Sequence, residues 1–330
     1  MLRTKTNGLG GLIGNVAKAK NKNFWIGKRI LITGGKGFVG RHVINYLREN
    51  RGVNFKQIFI PESSACDLRE YSLTKKAMEN IDIVIHLAAD VGGIAYSSSH
   101  PATQMRNCLL VDSNVFEAAA EAKVKKMVCV SSAVAYPVNA PSPLREKDLF
   151  LGEPASSGYG YGFAKRMSVV MAKAFKEEKG LNSCVLLAAN SYGPGQDFDL
   201  KTGHVIPSLI RKCLTEKELI VWGDGNQVRD FFYVKDFARA IVIATEKLST
   251  HEPVNIGTGY GISIKKLVKI VAKATEFKGK VVFDTSKPTG QKKRVLSIEL
   301  VKKLIDYKPQ YSLQKGIQET VDWYKNNYLE

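Results

Sequence analysis

The segment Arg29-Ile-Leu-Ile-Thr-Gly-Gly-Lys-Gly-Phe-Val-Gly40 constrains this chain more than any other. A short apolar run stops at a glycine cluster, and a stretch suited to a helix, Val39 to Asn50, follows at once. In that order Gly34 or Gly35 permits the tight turn, Gly37 lets a pyrophosphate approach the backbone, and Gly40 lets helix and strand pack closely. The N-terminus of the helix attracts phosphate oxygens. A glycine-rich turn alone is a weak signal, but the strand–turn–helix setting makes it a dinucleotide site.

The same rhythm continues downstream. Gln57 to Ile60, Ile81 to Leu87, Lys126 to Ser131 and Asn182 to Ala188 are apolar strands in outline, with helices over Ala102 to Ala122 and Tyr161 to Glu178. Continuous apolar strands alternating with amphipathic helices predict a parallel sheet buried on both faces, a doubly wound α/β fold of the Rossmann type. After Asn190 the alternation breaks. Short strands at Leu219 to Trp222 and Val281 to Phe283 mix with helices at Ile206 to Leu214, Val234 to Lys247, Ile264 to Thr275 and Leu313 to Tyr324. Three parts are expected. Residues 1–27 form a basic flexible extension, 28–188 a dinucleotide-binding domain, and 189–330 mainly a smaller α/β substrate lobe. Segments near 230–260 return to the first domain.

Composition narrows the class without choosing the chemistry. At 330 residues, 44% hydrophobic and 24% charged, the chain has ordinary globular proportions and enough length to bury a core unaided. Cys66, Cys108, Cys129, Cys184 and Cys213 are odd in number and scattered, which argues against a disulfide framework or a structural zinc site. A cytoplasmic location is expected. The most apolar stretch, Ile81 to Ile94, is broken by Asp82, His86 and Asp90 and falls short of the roughly 18 apolar residues of a membrane span. With 49 Lys+Arg against 31 Asp+Glu, the net charge is +18, which favours anionic partners.

Glu62 lies about 20 residues past the glycines, where an acid bonds ribose hydroxyls and favours NAD. Lys36 and Arg41 sit near the same end and suit a 2′-phosphate; NADP(H) is slightly favoured over NAD(H). Tyr161-Gly-Phe-Ala-Lys165 places a phenol and an ammonium on one helical face. A nearby ammonium stabilises phenolate and draws the phenol's pKa towards neutrality, as acid/base work needs. Ser131-Ser132, after the fourth strand, supplies a hydroxyl to polarise a carbonyl.

These elements occur with His86-Leu-Ala-Ala-Asp-Val-Gly-Gly-Ile94, Asn190-Ser-Tyr-Gly-Pro194, Gly203-His-Val-Ile-Pro207, Val221-Trp-Gly-Asp-Gly225, Arg229-Asp-Phe231 and Lys287-Pro-Thr-Gly290. From about Lys28 onward the chain resembles the extended short-chain dehydrogenase/reductases of nucleotide sugars. Within them it is most similar to the GDP-fucose synthase branch, the GDP-4-keto-6-deoxymannose epimerase/reductases. The resemblance implies an NAD(P)-dependent enzyme and a homodimer pairing the helices at about 102–122 and 161–178. It implies hydride transfer at the sugar 4-position with Ser132, Tyr161 and Lys165 as the catalytic group, Tyr161 exchanging the proton of the 4-oxygen. Cofactor contacts are implied at Gly34, Lys36, Gly37, Phe38, Val39, Gly40, Asp67, Leu68, Ala88, Ala89, Lys165 and Asn190. Substrate contacts are implied at Asn190, His204, Lys212, Trp222 and Arg229. No metal is expected.

His204 has a further implied role, as an acid in epimerisation at the 3- and 5-positions. Its partner in that branch is a cysteine thiolate two residues before a Tyr-Pro pair, and this chain has Val134 there. Valine exchanges no proton. Three enzymatic readings follow: a 4-keto reductase without epimerisation, a 4-epimerase that oxidises and re-reduces, or a fucose-synthase-type enzyme with a substitute base such as Cys129 or His100. A 4,6-dehydratase lacks carboxylates at Ala133 and Val134. The non-enzymatic alternative is a basic nucleic-acid-binding protein on the same fold, motivated by the charge and by the lysines of 265–280 and 287–303. It lacks an RNA-reading aromatic motif, and nucleic acid is not an expected partner.

Overall fold

The computed structural model describes residues 24–200, 203–286 and 291–329. The first half runs β1 (Ile30–Thr33), α1 (Phe38–Arg51), β2 (Ile58–Phe59), α2 (Tyr71–Ala77), β3 (Ile83–His86), α3 (Ile94–Ser99), α4 (Pro101–Glu121), β4 (Lys126–Ser132), α5 (Tyr159–Lys179) and β5 (Ser183–Ala188). The second runs β6 (Asn190–Tyr192), α6 (Val205–Thr215), β7 (Glu218–Trp222), β8 (Val228–Arg229), β9 (Phe231–Tyr233), α7 (Val234–Lys247), β10 (Val254–Ile256), β11 (Ile262–Ser263), α8 (Ile264–Ala274), β12 (Lys280–Asp284), β13 (Lys293–Arg294), α9 (Glu299–Ile305) and α10 (Leu313–Tyr328).

A six-stranded sheet ordered β10-β5-β4-β3-β1-β2 forms the centre, and its pairings are parallel. β1, β3, β5 and β10 are buried at every position, because helices cover both faces and leave no side for water. The direction of winding reverses between β1 and β3, and the crevice beyond the strand C-termini at that point is where such sheets receive ligands. The doubly wound expectation is met. β10, from the second half of the chain, completes the sheet edge beside β5.

Residues 1–23 of the expected extension lie outside the described residues. Trp25, also expected there, is only 2% exposed, and its Nε1 donates to Glu246 Oε1 at 2.6 Å.

A second, smaller core gathers Tyr192, Ile206, Ile210, Leu219, Leu267, Ile317 and Val321 beneath α6, α8 and α10. Its strands are brief: β7 with β12, β6 with β9, and the three-stranded set β11-β8-β13. Among the described residues no helix is long and apolar enough to cross a membrane.

Candidate active site

The glycine turn follows β1 and leads into α1. Gly34 has φ 68°, and a Cβ on it would lie 2.9 Å from the Ala88 backbone nitrogen. A Cβ on Gly40 would meet the Gly34 carbonyl oxygen at 2.3 Å, so any larger residue would push α1 off the sheet. Gly37 is the N-cap of α1, with no side chain satisfying the first-turn N–H groups. Those donors, with the exposed Gly37 and half-buried Phe38 and Val39 beside them, form a cradle that fits a pyrophosphate.

At the adenosine end the two signals that conflict in the sequence pair with each other: Lys36 Nζ lies 2.5 Å from Glu62 Oε1, both exposed. Arg41 is engaged elsewhere, its Nη2 donating to the Gly195 carbonyl at 2.9 Å. Asp67 pairs with Arg69 at 2.6 Å, whose hydrogen bonds hold its carboxyl below the ordinary range. Leu68 is buried, and its carbonyl accepts from Thr74 and Asn114. Ala88 donates its N–H to Thr33 Oγ1 at 3.2 Å, and Ala89 lies half-buried beside it.

Ser132 ends β4, its Oγ accepting from the Val134 N–H at 3.3 Å. Tyr161 and Lys165 stand one turn apart on α5. Lys165 is only 2% exposed, and its Nζ lies 3.4 Å from Asp112 Oδ2 on α4. Asp112 Oδ1 is 3.0 Å from His86 Nε2, and His86 Nδ1 is 2.6 Å from Thr33 Oγ1. Burial opposes ionisation of Asp112, but Lys165 and the His86 hydrogen bond outweigh it and lower its pKa. Burial likewise pulls Lys165 down, and Asp112 and Tyr161 more than restore it, so the ammonium is retained. The Tyr161 phenol behaves against the expectation from its spacing. Burial pushes it up to about 12, outweighing the Lys165 charge that draws it down.

Across the crevice, Asn190 donates Nδ2 to the Asp230 carbonyl at 3.0 Å and accepts from Arg294 Nη2, also at 3.0 Å. Arg229 and Arg294 are register partners on β8 and β13. Arg229 spends Nη1 on the neighbouring Val228 carbonyl, and the buried Nε of Arg294 has no partner. Burial lowers the pKa of Arg229; burial and the Arg229 charge together bring Arg294 down to about 10. Asp230 does not neutralise them: its carboxylate turns to the N–H groups of Thr258 and Gly259, at 3.1 Å each, and burial lifts its pKa to about 6.

His204 precedes α6 as its N-cap. Its side chain is exposed, and desolvation by the neighbouring protein lowers its pKa. Lys212 donates Nζ to the Ile220 carbonyl at 3.3 Å, and Trp222, 49% exposed, stands on β7. These two mark the α6–β7 face of the smaller lobe, and no hydrogen bond or ion pair among the described residues joins them to Tyr161 or Arg229. Val134 is half-buried in the short turn Ala133–Ala135 directly after Ser132. Neither substitute base is well set. Cys129 is buried in β4 with its thiol pushed well up by burial, and His100 is exposed, stacked on Tyr96 at 4.9 Å and bonded to Ser99. Lys287 to Gly290 lie outside the described residues. Among those described, no group of three or more His, Cys, Asp or Glu is placed to hold a metal.

A cavity of about 1670 Å³ opens among Tyr192, Phe231, Tyr233 and residues 143–147, 258–262, 296–303 and 308–314, and none of the expected site residues lines it. Asp112 and Arg294 carry no motif signal in the sequence, and His86 opens a quoted motif that assigns it no role.

Residues 30–257 match the NAD dependent epimerase/dehydratase family. A GDP-L-fucose synthase of Sinorhizobium fredii is 33% identical over 92% of this chain and 98% of its own length. Among solved structures, a GDP-6-OMe-4-keto-L-xylo-heptose reductase of Campylobacter jejuni superposes with a TM-score of 0.85 at 25% identity, covering 91% of this chain and 98% of the other. A GDP-L-fucose synthetase of Naegleria fowleri bound to NADP gives 0.82 at 28% identity, covering 92% and 94%.

Proposed function

The chain belongs to the NAD dependent epimerase/dehydratase family, and from that premise we propose that it is an NADPH-dependent reductase of a GDP-linked 4-keto sugar, working without 3,5-epimerisation. The observation that carries this reading is Val134, half-buried beside Ser132 where epimerisation would need a thiolate. Cys129 is sealed inside β4 and gives no substitute. The likeness to a structure named as a GDP-4-keto-heptose reductase supports the same reading.

The residues divide the work. The cradle of Gly34, Gly37 and Gly40 takes the cofactor's pyrophosphate, and the bound nicotinamide supplies the hydride. Ser132 holds the substrate's 4-oxygen by hydrogen bonding, and Tyr161 gives that oxygen its proton. Lys165 orients the phenol and the nicotinamide ribose. Arg229 and Arg294, whose side chains bond the Val228 carbonyl and the Asn190 amide, receive the diphosphate of the nucleotide sugar. Asn190, clamped between Arg294 and the Asp230 carbonyl, lines the space between cofactor and sugar. Trp222 and Lys212 serve the nucleoside end.

NADP is preferred over NAD in this reading because Lys36 is exposed and free to exchange Glu62 for a 2′-phosphate. A cytoplasmic homodimer is part of it too. α4 and α5 pack side by side and leave Leu109, Leu110, Met167 and Val170 accessible for a second copy.

The test is NADPH consumption with GDP-4-keto-6-deoxymannose in heavy water, with the product examined by NMR. Consumption without deuterium at the 3- and 5-positions is expected. Deuterium there makes the protein a fucose-type synthase with a base elsewhere. No consumption, with interconversion at the sugar 4-position instead, makes it a 4-epimerase.

A further inference from the structure

Two lysine runs that no step of the proposed reaction uses, 265–280 and 287–303, lie apart in the sequence and reach one cavity in the fold. The cavity of about 1670 Å³ has Lys266 of α8 in its wall, Lys302 and Lys303 of α9, Lys308 ahead of α10, and Arg145 and Lys147. Two carboxylates share that lining, and both are engaged. Glu299 Oε1 lies 3.0 Å from Lys302 Nζ, and Glu146 Oε1 accepts the Asn255 N–H at 2.9 Å. Among the described residues no hydrogen bond or ion pair reaches the ammonium of Lys147, Lys266, Lys303 or Lys308. The volume exceeds the roughly 300–1,000 Å³ of ordinary small-ligand pockets, so a ligand of several groups fits.

Aromatic rings complete the lining. Tyr311 packs on Tyr233 with ring centroids 4.6 Å apart, and Lys315 Nζ lies 4.8 Å from the Tyr311 centroid. Tyr260, set between Gly259 and Gly261, is 79% exposed and belongs to neither core.

We propose that this cavity is a second ligand site, separate from the crevice of Tyr161, and that it takes the phosphate chain of a polyphosphorylated ligand. Four ammonium groups without an internal anion repel one another around one concavity, and they call for several negative charges on one compact molecule. Phosphates joined in a chain supply strong acceptor oxygens on every unit, and lysine binds phosphate as a point charge. Such a chain occurs bare, as inorganic polyphosphate, or on a nucleoside, whose base has the Tyr260 ring as a stacking face.

The wall begins close to the diphosphate arginines: Ile262 is the register partner of Arg229, and Leu296 follows Arg294 by two residues. The experiment therefore has to separate the two sites. Calorimetric titration of the full chain with inorganic tripolyphosphate, and with ATP, each with NADPH and GDP already saturating, should show one saturable site. Lys266→Glu combined with Lys303→Glu should weaken both ligands by about tenfold or more, the worth of a charged hydrogen bond. Lys56→Glu combined with Lys76→Glu makes an equal change of net charge at exposed lysines outside the cavity and should leave both unchanged, as should Arg294→Leu. Tyr260→Ala then distinguishes the sources. Weaker ATP with unchanged tripolyphosphate assigns the cavity to a nucleoside polyphosphate, and no change in either assigns it to the phosphate chain alone. The proposal is overturned if neither ligand saturates, if the two lysine pairs act alike, or if Arg294→Leu removes the binding.

Discussion

Two groups of cations face the same crevice and are treated in opposite ways. Lys165 is buried against Asp112, which is itself held by His86 and Thr33, so its charge is answered within the protein. Arg229 and Arg294 lie side by side on β8 and β13, bonding a backbone carbonyl and an amide, and the carboxylate of the intervening Asp230 is committed to the 258–259 loop. A compensated charge fixes geometry, whereas an uncompensated pair lowers the stability of the empty protein and attracts an anion. In the reading proposed above, the first region sets the chemistry and the second collects the diphosphate.

The largest expected effect lies at the junction of the two. Tyr161→Phe should reduce hydride transfer by about 10²–10⁴-fold, the usual worth of a general acid, with the thermal midpoint unchanged. A fully active variant would show that the proton comes from another group. Next comes the contrast itself. Asp112→Ala should cost about 3–5 kcal/mol in chemical denaturation, because it strands a buried ammonium. Arg294→Leu should leave the ligand-free protein as stable or more stable, yet raise KM for the nucleotide sugar about 10–100-fold, as loss of a charged hydrogen bond does. Equal destabilisation by the two changes would abolish the distinction drawn here.

The smallest effect is set by Asp230. Its folded pKa, about 6, lies above the ordinary 3.8. The folded state therefore binds the proton more readily, so this contribution to stability is fully present below about pH 3.8 and is lost as pH rises through about 6. Native protein compared with Asp230→Asn should lose on the order of 1–3 kcal/mol between pH 4 and 7. A flat difference would mean that the loop N–H groups hold the carboxylate as well as water does.

The Rossmann half was legible because its signals are local. Apolar runs with glycine or polar stops marked β1, β4 and β5, and helical periodicity placed α1, α4 and α5 to within a residue or two of their ends. Val234–Lys247 was read to the residue as α7. Strands of two or three residues, such as β6, β8 and β13, carry too little periodicity to detect, and they position Asn190, Arg229 and Arg294. Asp112 was hidden for another reason. A polar residue on an amphipathic helix reads as a solvated position, and only the packing of α4 against α5 turns it inward. The Tyr-x-x-x-Lys spacing placed both side chains on α5 as expected but gave the wrong direction for the phenol, since the spacing does not reveal how deeply the ring is buried.

The edge position of β10 has a consequence for how the chain is made. Residues 254–256 supply the strand that covers β5, and more than sixty residues, with α6 and brief strands of the smaller lobe among them, are synthesised between the two. Until that late strand emerges, a growing chain carries the bare N–H and C=O groups of β5, an open template for a neighbouring chain. Cutting the protein after β5 would therefore not liberate a free-standing cofactor module; it would leave the sheet permanently open at that edge.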